Sequence, residues 1–200
     1  MRIRSALPVA AALFLTVAGC TPGRAGAPGP AAATPPAGAA APGAAGAAAT
    51  APAGAAFGGT DLAWIEINVA LDDQALPLLD LASARGTDPA LKSLAAQLRT
   101  SVTADLATLH RLHDRAGLPS ENPHEGMLMP GLVPADAVTR AAKLSGPAFD
   151  TAVKAALKPY LEQSHRLAED EQKSGTDPTT RALAATTATG RERALHRLSA

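Results

Sequence analysis

The chain has 200 residues, 18 basic and 18 acidic side chains, a formal net charge of zero at pH 7, and one cysteine. Balanced charge provides no basic surface for nucleic acid, and an aromatic content of 2% leaves too few rings to stack bases. A single cysteine also excludes a disulfide within the chain. Nucleic-acid binding is therefore excluded.

The N-terminal residues have the pattern of a secretory signal. Arg2 and Arg4 precede an apolar stretch at residues 6–18, which is too short to span a bilayer as a helix. The sequence Val17–Cys20 resembles the lipobox of bacterial lipoproteins, in which the chain is cut before a cysteine that then carries a diacylglyceryl group. The resemblance predicts a signal peptide at residues 1–19, lipid on Cys20 and a position on the extracytoplasmic face of the membrane. An ordinary signal peptide that leaves Cys20 free is the alternative.

Residues 20–56 are predicted to be a disordered linker. After Cys20 the segment contains only Ala, Gly, Pro and Thr, apart from Arg24. Such a segment cannot bury apolar side chains, and its prolines and glycines oppose regular helix. As a flexible coil its ends would lie roughly 35 Å apart. All acidic residues lie in residues 57–200, which are numerous enough to form one domain with a core.

The domain shows helical periodicity in four long segments and one short one. Asp88 and Pro89 form an N-cap followed by proline at the first helical position, and Gly117 is a C-terminal stop signal. Pro77 and Pro159 predict kinks. The predicted helices span residues 61–85, 88–117, 134–144, 147–174 and 177–200, of which 134–144 is the short one.

An internal repeat relates the two halves of the domain. Gly86–Pro89 recurs as Gly175–Pro178, and the same offset of 89 pairs Asp61 with Asp150. Each half is therefore predicted to be a helix, a Gly-Thr-Asp-Pro turn and a second helix. Because neither hairpin can bury its apolar face alone, we expect an all-α fold in which the two pack into a four-helix bundle.

These residues also carry a family resemblance. Asp61–Ile65, Asp73–Ala75, Leu81-Ala82 and Phe149-Asp150 resemble the two halves of the domain of unknown function 305 family, over about Thr60 to Leu198. The resemblance implies a ferritin-like four-helix fold, to which the predicted helix at 134–144 adds a short extra helix in the central connection. It also implies that the protein is exported and raises the possibility of copper binding, because some members of the family are associated with copper or other metals.

The chain departs from the family at the presumed metal positions. Members carry a His-His pair on the first helix of each half, where this chain has Leu71-Asp72 and Tyr160-Leu161. The Met-rich positions before those pairs hold Ile67-Asn68 and Ala156-Leu157. Imidazole and thioether are the ligands that Cu(I) requires. The sequence therefore predicts the family's fold without its metal cofactor.

Weaker metal candidates remain elsewhere. The connection between the halves contains His124, Met127 and Met129, which could bind copper weakly or, as flexible apolar groups, pack beneath the loop. His110 and His113 lie three residues apart on one helix flank, although His113 also continues the apolar stripe and suits a structural role near the helix end.

Two further patterns resemble parts of enzyme sites. Glu162 and His165 have the Glu-x-x-His spacing of di-iron bundles, but Glu192 and His196 do not form the second copy that such a site needs. The simpler interpretation of Glu162 is a solvated helix face. Asp72 and Asp73 are adjacent, so a helix turns them about 100° apart and they cannot face each other as a carboxylate pair.

From the sequence we predict a non-catalytic extracytoplasmic lipoprotein, a structural or binding module of the cell envelope, attached to the membrane through Cys20. The alternative is a weak copper or transition-metal protein that uses His124, Met127 and Met129. A ferritin-like enzyme is a third hypothesis. The sequence identifies no protein partner.

Overall fold

The computed structural model describes residues 57–124 and 126–199, and this part of the chain contains five α-helices and no strand. The all-α prediction is confirmed, and each helix end lies within two residues of its predicted position. The predicted signal peptide and linker lie outside the described residues. The helices are α1 (Gly59–Arg85), α2 (Pro89–Ala116), α3 (Ala135–Ala142), α4 (Gly146–Ser174) and α5 (Pro178–Ser199).

The four long helices form the predicted bundle. The hairpin of α1 and α2 packs against the hairpin of α4 and α5, through contacts of α1 with α4 and of α2 with α5. Neighbouring helices are antiparallel, so the two Gly-Thr-Asp-Pro turns lie at opposite ends of the bundle. The short helix α3 packs on the outside of α1 and α4. No helix in the described part of the chain is both long enough and apolar enough to cross a membrane.

Helix α1 is the most enclosed of the four. It contacts all four other helices, and consecutive residues from Asn68 to Asp72 in its middle are all buried. Both α1 and α4 continue as helices through Pro77 and Pro159. The core is mostly leucine and alanine supplied by all four long helices, together with Val133 from the connection. Burial of this apolar surface stabilises the fold at about 25 cal/mol per Å².

The helix caps agree with the sequence signals. Asp88 lies at the N-cap of α2 and its carboxylate accepts a hydrogen bond from the Ala90 N–H at 2.8 Å. Pro89 is the first helical residue. Gly117 ends α2 with φ of 66°, a left-handed conformation that favours glycine because it has no Cβ. These caps fix where the first hairpin ends and the central connection begins.

Candidate functional site

A cluster of polar side chains lies inside the bundle. Arg191 on α5 donates a hydrogen bond to Asp72 on α1 at 3.4 Å and to Asp105 on α2 at 3.2 Å. The Tyr160 hydroxyl on α4 donates to Asp72 at 2.6 Å, and Arg191 Nε donates to Ser164 Oγ at 3.3 Å. All five residues are buried, and Arg191 is only 1% exposed. All four long helices therefore meet at one internal charge network.

The network contains two carboxyl groups and one guanidinium group. Burial raises the pKa of Asp72 to about 6, against the opposing effects of Arg191 and the Tyr160 hydroxyl. Burial likewise raises the pKa of Asp105. Burial alone would lower the pKa of Arg191, but the acidic groups around it hold that pKa above its usual value. The guanidinium is thus a permanent internal cation that compensates the two carboxyl groups.

Two members of this network, Asp72 and Tyr160, occupy positions at which the family resemblance implies copper ligands. Leu71 and Leu161 are fully buried apolar residues that cannot coordinate a metal ion. Asp72 is bound by Tyr160 and by the Arg191 cation, so its carboxylate is already compensated. Neither imidazole nor thioether is present among these residues, although Cu(I) prefers such ligands. The residues at this place do not fit copper.

The three loop candidates lie between α2 and α3. His124 is half-buried, and its N–H donates to Asn122 Oδ1 at 2.8 Å. The Met127 N–H donates to the His124 carbonyl at 3.2 Å, and Met127 is half-exposed. Met129 is half-buried. The structure thus places the three residues in one loop, and in its described residues no hydrogen bond joins the His124 ring to either methionine.

The helical candidates lie on the outside of the bundle. Glu162 is exposed and pairs with Lys158 at 3.3 Å, as expected for a solvated helix face. Glu162 lines a shallow surface depression of about 290 Å³ together with Glu192 and His196, and His165 does not. Within residues 57–124 and 126–199, no three His, Cys, Asp or Glu side chains are arranged to hold a metal ion.

The two histidines of α2 have separate surroundings. His110 is exposed, whereas the His113 side chain is only 16% exposed and its Nε2 lies 3.0 Å from the Pro119 carbonyl oxygen. His113 therefore ties the end of α2 to the connection that follows it, which agrees with the structural interpretation. Cys20, the predicted lipid attachment site, lies outside the described residues.

The repeat has a structural consequence that the sequence reasoning missed. The carboxylate of Asp61, on α1, accepts hydrogen bonds from the N–H groups of Gly58, Thr176 and Asp177 at 2.6, 3.0 and 3.0 Å, and from the Thr176 hydroxyl at 2.7 Å. Burial would raise the pKa of Asp61, but the Thr176 hydroxyl, the Glu171 carboxyl group and the N–H groups of Gly58 and Thr176 hold it well below its usual value. Asp61 therefore fixes the start of α1 to the turn between α4 and α5.

The other half contains the equivalent arrangement. Asp150, on α4, accepts hydrogen bonds from the Thr87 N–H at 3.0 Å, from the Asp88 N–H at 2.9 Å and from the Thr87 hydroxyl. These bonds, with that of the Thr87 hydroxyl the strongest, lower the pKa of Asp150. Each half thus holds the turn of the other half, one at each end of the bundle. The sequence signal for these contacts was the pairing of Asp61 with Asp150 at the same offset of 89 residues that relates the two turns.

The comparisons with known proteins agree with this architecture. The family described as "Domain of unknown function (DUF305)" matches residues 61–200. The chain belongs to the DUF305 family. A crystal structure of a DUF305 fragment from Deinococcus radiodurans is similar to the chain with a TM-score of 0.62 and 13% sequence identity, covering 72% of this chain and 95% of that one. At this identity the likeness shows the DUF305 fold alone. No curated protein matches the chain.

Proposed function

We propose that this DUF305 protein is a non-catalytic lipoprotein that acts as a structural or binding module of the cell envelope. The observation that carries the proposal is the internal network of Asp72, Asp105, Tyr160, Ser164 and Arg191. Asp72 and Tyr160 stand at positions where metal ligands would be expected, and Arg191 pairs with the buried carboxyl groups of Asp72 and Asp105. Such a network holds four helices together, and its charged groups compensate one another inside the bundle.

The N-terminal sequence supports the location. Arg2 and Arg4, the apolar stretch at 6–18 and the Val17–Cys20 motif fit export followed by lipidation at Cys20. Lipidation of this kind supplies two or more acyl chains, which are enough for stable anchoring where one chain is not. The Ala/Gly/Pro-rich stretch at 20–56 would then separate the bundle from the membrane surface.

Expression of the full chain in a bacterial host with labelled palmitate tests the anchor. The wild-type protein should carry label and sediment with membranes, whereas Cys20→Ser should lose the label and appear in the soluble fraction. Thr21→Ser is the matched control because it changes the neighbouring residue and leaves the thiol. Membrane retention of the unlabelled Cys20→Ser variant would contradict lipid anchoring through this residue.

Copper binding by the loop is the competing function. It is favoured by the placement of His124, Met127 and Met129 in one loop with Met127 half-exposed. Cu(I) titration of the purified full chain against a chelator tests it, with His110→Ala as the control for a histidine outside the loop. We expect no stoichiometric copper. One equivalent that is lost in His124→Ala and kept in His110→Ala would replace our proposal with the copper function.

A further inference from the structure

Glu171 is an unexpected fully buried acidic residue at one end of the bundle. It lies on α4 just before the turn Gly175–Pro178 and is completely enclosed. Its carboxyl group interacts with that of Asp61, and among residues 57–124 and 126–199 neither of its oxygens has a donor partner. The Gly175 backbone packs directly against it, since a Cβ on Gly175 would lie 2.0 Å from Glu171 Oε1.

Two carboxyl groups in contact need a shared proton. Asp61 is held ionised by its four N–H and O–H donors, so the proton must reside on Glu171. Burial, followed by the adjacent Asp61, raises the pKa of Glu171 to about 8. A protonated Glu171 donates to Asp61 and completes the contact, whereas an ionised Glu171 leaves two buried negative charges side by side.

The surrounding charges do not remove this repulsion. Asp177, in the turn, adds a third buried carboxyl group, which pairs with Arg115 of α2 at 2.7 Å. Arg181 of α5 is the cation that favours ionisation of Glu171, but it is exposed and has a smaller effect than burial and Asp61. The other end of the bundle provides the contrast, because Ala82 occupies the position equivalent to Glu171 there, beside Asp150.

We propose that Asp61 and Glu171 form a proton-dependent latch, in which their shared proton holds the start of α1 on the turn Gly175–Pro178 and its loss releases that end of the bundle. The end held by Asp150 contains no second carboxyl group at the equivalent position and stays closed. The latch acts where the chain enters the domain from residues 20–56. At low pH the start of α1 is therefore held on the turn, and at high pH it is released.

The direction in which closure depends on pH follows from the two states of Glu171. In the released end Glu171 titrates near the ordinary glutamate value of about 4.5, and in the closed end near 8. The closed form therefore binds more protons between these values, and closure weakens by up to about tenfold for each pH unit from pH 5 to pH 8. Above pH 8 both forms are ionised and the dependence ends.

Amide hydrogen exchange of the full chain, expressed as protection factors, tests the latch. The N–H groups of Thr176 and Asp177 report on the latched end, and those of Thr87 and Asp88 report on the other end. Protection at Thr176 and Asp177 should fall steeply from pH 6.5 to pH 8 and level off above it, with little change at Thr87 and Asp88. The range starts above the pKa of Asp72, so that titration of that residue adds little.

Glu171→Gln is the decisive variant, since an amide can donate to Asp61 but cannot ionise. It should fold and keep Thr176 and Asp177 protected at every pH. Glu162→Gln, on the solvated face of α4, is the matched control and should behave as the wild type. Equal pH responses at the two ends, or a steep response that persists in Glu171→Gln, would overturn the proposal.

Discussion

The first turn, Gly86–Pro89, and the second turn, Gly175–Pro178, have the same sequence but different surroundings. Asp88 of the first turn is 35% exposed and pairs with Lys154 at 3.0 Å. Asp177 of the second turn is fully buried and pairs with Arg115, and its carboxylate also accepts from the Thr180 N–H and hydroxyl at 2.7 Å. The repeat therefore preserves the backbone of the turn, while the burial and the charges around the two turns have diverged.

The interior of the bundle diverges further than the turns. When the halves are aligned by 89 residues, four buried charged residues pair with a buried apolar one, whereas Asp61 pairs with Asp150 and Asp177 with Asp88. The charged–apolar pairs are Asp72 with Leu161, Asp105 with Ala194, Arg191 with Val102, and Glu171 with Ala82. The network needs two carboxyl groups from the first half and an arginine from the second. Neither half could form it alone.

The largest effect on stability is expected at Arg191, a buried charge that the other half of the repeat does not have. Arg191→Met removes the cation and leaves Asp72 and Asp105 buried and uncompensated, which should lower the free energy of unfolding by about 3–5 kcal/mol. Urea denaturation followed by circular dichroism measures the loss. Arg193→Met, two residues along α5 on an exposed position, is the control and should change stability by no more than about 0.5 kcal/mol.

Neutralising the partners separates charge from packing. Arg191→Met combined with Asp72→Asn and Asp105→Asn removes the uncompensated charge, while the amide introduced by Asp72→Asn can still accept from the Tyr160 hydroxyl. This triple variant should be more stable than Arg191→Met alone. If the triple variant were as unstable as the single one, the packing of Arg191 and not its charge would account for the loss.

The next effect is a pH dependence that arises in the interior of the bundle and adds to that of Glu171. Burial raises the pKa of Asp72 from 3.8 to about 6 in the folded protein, so the folded state binds more protons than the unfolded state between these values. The free energy of unfolding should therefore fall between pH 4 and pH 6 by up to about 1.4 kcal/mol per pH unit from this group. Asp72→Asn should flatten this part of the profile, and a slope unchanged by the substitution would contradict the assignment.

The two aspartates that hold the turns allow a direct contrast. Asp61→Ala removes the acceptor of four donors at a fully buried position, whereas Asp150→Ala removes the acceptor of three donors at a slightly exposed one. At pH 5, where Glu171 is protonated, Asp61→Ala should be more destabilising than Asp150→Ala by about 1–2 kcal/mol. Thermal unfolding at matched pH measures the difference. Equal losses would mean that the repeat preserves energetics as well as geometry.

The fold was predictable from sequence because its signals are local. The Asp88-Pro89 cap, the Gly117 stop and the period of the leucines fix the helices, and the repeated turn fixes how they pair. The internal network was not predicted, because whether Arg191 or Glu171 faces inward depends on residues up to about 120 positions away. The alignment of the halves did not supply that information, because Lys158 is exposed although it is in register with the buried Val69.

The smallest effect concerns the glycines that begin the two turns. Both have ordinary negative φ, so their need for glycine is one of space. A Cβ on Gly86 would lie 2.8 Å from the Ala82 carbonyl oxygen, and a Cβ on Gly175 would lie 2.7 Å from the Glu171 carbonyl oxygen and 2.0 Å from Glu171 Oε1. Gly175→Ala must therefore displace a buried carboxyl group in addition to the backbone.

Gly175→Ala should accordingly be more destabilising than Gly86→Ala by about 1 kcal/mol, measured by urea denaturation at pH 5. Gly190→Ala, within α5 with no atom near the new Cβ, is the control and should stabilise by about 0.5–1 kcal/mol. In the background of Glu171→Ala, which copies Ala82 of the other half, the difference between the two turn glycines should disappear. If this difference in stability persists in the Glu171→Ala background, a cause other than Glu171 makes Gly175→Ala the more destabilising substitution.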